Sequence, residues 1–240
     1  MTTKTDKFNW FYYRQSDGCE DKFICQYLRL DYLLQLLETG KYYVKRRKMF
    51  EDANEKYKNV QLAFAPVPVG ENTIAQPISI ERIIPYTKIA DCPTACWSKN
   101  MDEKYLMWKC YATEEGACIR TTVHNVIASL QIAFDKSSEN KIVCGSMDYK
   151  EYKPSAIEES QLFDKDIAYS DEEEYRFYFH CPTYDTNKEA IGVLIPVDIK
   201  VMINEIILSP FIKKDAAEKL ARMIRCAYNI DVKQSRIKIK

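Results

Sequence analysis

The run Glu172-Glu173-Glu174-Tyr175-Arg176-Phe177-Tyr178-Phe179-His180 carries the densest set of reactive side chains in this amino-acid sequence. Read as an extended segment, Glu172, Glu174, Arg176, Tyr178 and His180 share one face, and Glu173, Tyr175, Phe177 and Phe179 share the other. The aromatic face reads as core. The polar face is either a wet edge or the wall of a cleft, and in a cleft Glu174 beside Arg176 is an ion pair placed for substrate binding or acid/base work, each group setting the other's pKa.

A second concentration lies at residues 96–122: Cys96-Trp97-Ser98, then Met107-Trp108-Lys109-Cys110-Tyr111, then Gly116-Ala117-Cys118-Ile119-Arg120-Thr121-Thr122. Indoles beside Ser, Lys, Tyr and Arg suit a half-wet cleft as well as a core, because each ring buries much apolar area yet carries one N–H that needs an acceptor. A third pattern, Asp148-x-Lys150 with the acids at 171–174, has the residue types of a metal-dependent nuclease. Cys92-x-x-x-Cys96 offers two thiols, but only His124 and His180 exist as imidazole ligands, so no metal is expected. The nine cysteines are an odd number in a long chain with a polar start, which reads as reduced, inert thiols used as small hydrophobes in a cytoplasmic protein.

Composition narrows the function classes. With 46% hydrophobic residues over 240 positions the chain can bury a full core. Its 35 basic and 35 acidic side chains cancel, so there is no strong nucleic-acid signal of the phosphate-neutralising kind. No run approaches the roughly 18 apolar residues that span a bilayer, so no membrane partner is expected. Six glycines and no Gly-rich loop argue against a P-loop or Rossmann nucleotide site.

The elements that must position these residues alternate between short strands and helices. Residues 23–28 read as a strand, Asp31 as the N-cap of a helix closed by Gly40, and 41–44 as the next strand. The charged stretch 45–58 reads as solvated surface, and 60–93, with prolines at 66, 68, 77 and 85, as an irregular excursion that covers or edges a cleft. A strand at 95–98 leads to a helix capped by Asp102 with Tyr105, Trp108 and Ala112 on one stripe. Then follow a strand at 117–122, a helix through Val123, Val126, Ile127 and Leu130, with His124 exposed or capped, and a strand at 141–149. Segment 150–165 reads as loop and short helix. Strands at 191–197 and 205–209 flank a short helix begun by Asp198, an amphipathic helix runs from Lys214 to Tyr228 through Leu220, Met223 and Ile224, and an edge strand ends the chain at 235–240. The fold class expected is α+β, a single domain over 1–240 with a mixed or mostly antiparallel central sheet flanked by helices.

The ordered motifs at 96–97, 107–111 and 116–122, with Phe163-x-Lys165 and Glu172-Glu173-Glu174-Tyr175-Arg176, resemble the bacterial domain of unknown function numbered two-nine-seven-one. The resemblance extends to the strand, helix and strand of 27–44 and to Ile206-Ile207-Leu208-Ser209-Pro210, covering about 23–225. Where that family places an Asn-Asp-Pro-like turn, this chain has Phe50-Glu51-Asp52-Ala53-Asn54. The family name implies no reaction. The order of elements is also similar to that of ADP-ribosyltransferase toxins. That similarity implies NAD as substrate, Tyr27 or Arg29 against the dinucleotide, Trp97, Trp108 or Tyr111 stacked on nicotinamide, Glu174 catalytic with Glu172 orienting the acceptor, and Arg176 beside them, in a toxin or antiviral defence effector. The acceptor, small molecule or macromolecule, is not specified. The alternatives are a non-catalytic ligand-sensing or partner-binding domain, with a possible protein partner anchored on the Trp cluster, and the nuclease.

Overall fold

Among the described residues, fourteen strands and a handful of helices follow from runs of β-branched and aromatic residues broken by charged turns. The computed structural model describes residues 10–14, 22–50, 63–66, 78–79, 92–137, 139–151 and 163–239. In chain order the elements are β1 (Phe11–Arg14), β2 (Phe23–Arg29), α1 (Leu30–Thr39), β3 (Lys41–Arg46), β4 (Ala63–Pro66), β5 (Ile78–Ser79) and β6 (Pro93–Ser98). A helical turn at Tyr105–Met107 runs into a π-helical turn at Trp108–Ala112, followed by β7 (Gly116–Thr122), α2 (Val123–Phe134), β8 (Lys141–Ser146), β9 (Asp148–Lys150) and β10 (Asp164–Asp166). The last are β11 (Glu174–His180), β12 (Gly192–Pro196), α3 (Ile199–Met202), β13 (Glu205–Leu208), α4 (Lys214–Tyr228) and β14 (Asp231–Gln234). The fold is α+β with mixed strand pairing, mostly antiparallel, as expected.

The chain divides into two compact units, each gathered from separated stretches. Unit 1 comprises Met1–Glu20, Val44–Cys96 and Ala133–Leu194; unit 2 comprises Asp21–Tyr43, Trp97–Ile132 and Ile195–Lys240. In unit 1, β8 lies between β1, which it pairs in parallel, and β11, which it pairs antiparallel from Tyr175↔Ser146 to His180↔Lys141. Every residue of β11 from Glu174 to Phe179 is buried, so both faces are covered and neither is a wet edge. The register sets Arg176 across from Gly145, which has no side chain to compete with the guanidinium. The small parallel pair β9 and β10 carries Tyr149 and Lys165.

In unit 2 the order is β14, β13, β7, β2, with β7 antiparallel to both β2 and β13. Helix α1 packs on β2 and β7, and α4 on β14. Gly40 at φ 61° ends α1, as its sequence position implied. Asp198 accepts from the backbone of Lys200 and Val201 and starts α3, also as expected.

Several expected details change. Asp31 is not the cap of α1 but sits in its first turn, since Arg29, the last residue of β2, holds the N-cap position and its side chain takes Asp31. The helix expected from Asp102 shrinks to the turns at 105–112, where Trp108 and Ala112 are buried but Tyr105 is exposed. The segment from 172 is not one strand: Glu172 closes a 3-10 turn, Glu173 takes a left-handed conformation at φ 47°, and β11 begins at Glu174. Met223 points outward, the buried face of α4 being Ala217, Ala221 and Ile224. The last strand is Asp231–Gln234 rather than 235–240. Most of 51–91 lies outside the described residues, including the turn at 51–54 and most of the proline-bearing excursion.

Candidate functional site

The polar face of β11 becomes a buried ionic centre in unit 1. Arg176 donates from Nε and Nη2 to the two oxygens of Glu174 at 2.8 Å each, the forked geometry that makes Arg–carboxylate pairs strong. Lys165 Nζ, brought in by β10, lies 3.1 Å from Glu174 Oε2 and also bonds Glu172. Tyr149 on β9 accepts the Glu174 backbone N–H at 2.7 Å, and Tyr178 Oη lies 3.4 Å from Arg176 Nη1. The Phe50 ring centroid is 5.7 Å from the guanidinium carbon of Arg176. Glu174 is 3% exposed and Arg176 1%.

Electrostatics inside this centre are set by mutual neutralisation. Burial works to raise the Glu174 pKa, but Arg176 and Lys165 outweigh it and hold the carboxyl at about 2. Lys165 is disfavoured as a cation by burial, yet Glu174 and Glu172 keep it above its ordinary value. Burial pushes the Tyr149 phenol up to about 12. Two carboxylates meet two cations there, Glu172 and Glu174 against Lys165 and Arg176.

A second ionic knot in unit 1 lies in the charged run that the sequence reading assigned to surface. Arg46 is fully buried: Nε donates to the Ala190 carbonyl at 2.7 Å, Nη2 to the Asn187 carbonyl at 2.8 Å, and both terminal nitrogens meet Asp185, which also takes Lys188. Burial opposes the Asp185 charge, but these two cations hold its pKa below the usual range. Period-2 alternation along β3, with Tyr42, Val44 and Arg46 inward, carried this signal, and the charge density masked it. Arg47, next in the chain, is 2% exposed.

In unit 2 the aromatic residues do not open a cleft. Trp108 is fully buried, edge-on to Tyr27 with centroids 4.9 Å apart, in a cluster with Cys25, Ala112, Cys118 and Ile207. Trp97 is 1% exposed and tilted against Tyr42. Among the described residues neither indole N–H finds an acceptor. Arg29 is exposed and paired with Asp31 at 2.7 Å, and Tyr111 is 43% exposed. The site residues named from sequence therefore fall into sets: Glu172, Glu174 and Arg176 meet through Lys165 in unit 1, Tyr27 meets Trp108 in the core of unit 2, and Arg29 and Tyr111 face solvent there. In the sequence Lys165 stands out only within Phe163-x-Lys165, and nothing in that spacing marks it as the bridge between Glu172 and Glu174.

The other patterns resolve into local structure. Lys150 pairs with Asp164 at 3.0 Å, and among the described residues no group of three His, Cys, Asp or Glu is placed to hold a metal. Cys92 donates to the Phe179 carbonyl, and its thiol is pushed up by burial, while Cys110 and Cys226 are exposed rather than buried. His124 is exposed, and no described helix is long and apolar enough to cross a membrane. No protein-family model matches the chain, and no curated protein or solved structure does either.

Proposed function

We propose that this chain is a non-catalytic ligand-sensing domain, in which the Glu174 centre is scaffold. The observation that carries the reading is the state of Glu174: 3% exposed, forked by Arg176, capped by Lys165 and ionised down to about pH 2. General acid/base work needs a group that titrates near the working pH. Stabilising a cation that forms only in the transition state needs an anion not already neutralised in the ground state. Glu174 offers neither, and Glu172 is bound to Lys165.

The ADP-ribosyltransferase reading also needs a ring free to stack on nicotinamide and a cation free for the dinucleotide. Trp97 and Trp108 are buried, and the exposed Tyr111 and the Arg29–Asp31 pair lie in unit 2, whereas Glu174 lies in unit 1. The family resemblance, with its ordered motifs, is compatible with a sensing role, because those motifs contribute the Trp108 core and the Lys165–Glu174–Arg176 centre. Incubating the protein with NAD and following nicotinamide release tests the proposal directly. No release above a protein-free control is expected; sustained release by the wild type that Glu174→Gln abolishes would restore the transferase.

A further inference from the structure

Among the described residues three arginines are buried in unit 1, and two are fully answered by the chain. Arg176 has Glu174 on its Nε edge, and Arg46 has Asp185 and the carbonyls of Ala190 and Asn187. Arg47 differs. It opens the 3-10 turn Arg47–Met49 after β3, with its backbone N–H held by the Cys92 carbonyl and its own carbonyl accepting from Phe50. That turn fixes the backbone, the residue is 2% exposed, and among the described residues its Nε is buried without an acceptor.

A guanidinium stays protonated, so it cannot escape burial by losing its charge. Among the described residues its charge acts on Cys92, a thiol kept neutral by burial, so that neighbour supplies no anion. Asp185 is already shared between Arg46 and Lys188. A buried charge with no partner costs several kcal/mol, which folding can carry only where another interaction is gained. We infer that Arg47 is the protein half of a binding site for an oxyanion, the free Nε edge accepting a phosphate or carboxylate in the same forked manner in which Arg176 takes Glu174. This rests on the ligand-sensing reading and gives its ligand a chemical class. Arg is suited to the role because its planar fork matches two oxygens at once, which a lysine does not.

The test is a titration of the full chain with inorganic phosphate and, separately, with acetate, against sodium chloride at matched ionic strength, read by isothermal calorimetry and thermal midpoint. Saturable binding of phosphate or acetate is expected, with a midpoint that rises with concentration while chloride has no such effect; which of the two binds more tightly assigns the source of the oxyanion. Arg47→Met should weaken that binding at least tenfold. In anion-free buffer Arg47→Met should leave the midpoint unchanged or raise it, because it removes an unanswered charge, whereas Arg46→Met should lower it by leaving Asp185 with Lys188 alone and the Ala190 and Asn187 carbonyls without their donor. Absence of saturable binding to either oxyanion overturns the inference, as does full binding by Arg47→Met. Failure of Arg47→Met to fold overturns it too, since that would show the charge to be answered within the chain. Nicotinamide release is read in a separate assay, so failure of the sensing proposal is seen independently of these outcomes.

Discussion

Glu174 ties residue chemistry to measurable stability. Its folded-state carboxyl sits at about 2 against an ordinary 4.5, burial opposing the charge and Arg176 and Lys165 more than restoring it. A depressed folded-state pKa adds stability that is complete above the unfolded value and is lost as pH falls toward the folded one. Unfolding midpoints of the wild type should therefore decline between pH 4.5 and 2, and Glu174→Gln, with no proton to take up at that position, should decline less steeply. Trp108→Ala should cost about 3–5 kcal/mol, the range for emptying a core aromatic site, whereas Arg29→Ala should stay within about 0.5 kcal/mol because its ion pair is exposed. Denaturant titrations of both variants check the contrast, and similar losses would mean that Trp108 is not core. The Glu174–Arg176 pair was legible because period 2 puts residues two apart on one face. Its depth was not, since alternation fixes a face but not what covers it. Arg46 shows the converse error: the alternation was present, and neighbouring lysines and arginines hid it.

At the scale of elements, the turn at Tyr105–Ala112 is built around a close approach. A Cβ on Gly116 would meet the Ala112 carbonyl oxygen at 2.1 Å, so β7 and the π-helical turn can touch only through a bare backbone. Gly116→Ala should cost about 3 kcal/mol, the upper end for overpacking, because the obstacle is backbone and cannot rotate away. Just before it, Thr113 sits at φ 59°, ψ −166°, which a β-branched residue rarely adopts. Thr113→Gly should then gain about 1 kcal/mol. Thermal midpoints of the two variants should move in opposite directions, and a fall in both would show that Thr113 is unstrained. Helix and strand existence was readable from hydrophobic period and from Gly40 and Asp198 as boundary signals. The π-helical turn was not, because i, i+3 and i+4 spacing is common to every kind of helical turn and only the Gly116 contact selects this one.

On the scale of the molecule, a net charge of zero concealed the feature that matters most, since 35 cations and 35 anions say nothing of which are buried. Nor could the sequence show that β1, β8 and β11 would be neighbours in unit 1, because β-pairings between distant segments depend on packing and not on local pattern. In the proposed ligand-sensing reading, Lys165, Glu174 and Arg176 are counter-ions that complete the interior of unit 1 and not reactants. Side chains kept for turnover commonly cost stability, so replacing them tends to leave a fold unchanged or firmer. Replacing one member of a buried ion network orphans the others and is expensive, about 3–5 kcal/mol. The most direct measurement is the free energy of unfolding of the wild type and Glu174→Gln by denaturant at neutral pH, with equal slopes as the check on two-state behaviour. A loss of about 3–5 kcal/mol is expected for Glu174→Gln; a variant as stable as the wild type or more so would contradict the account.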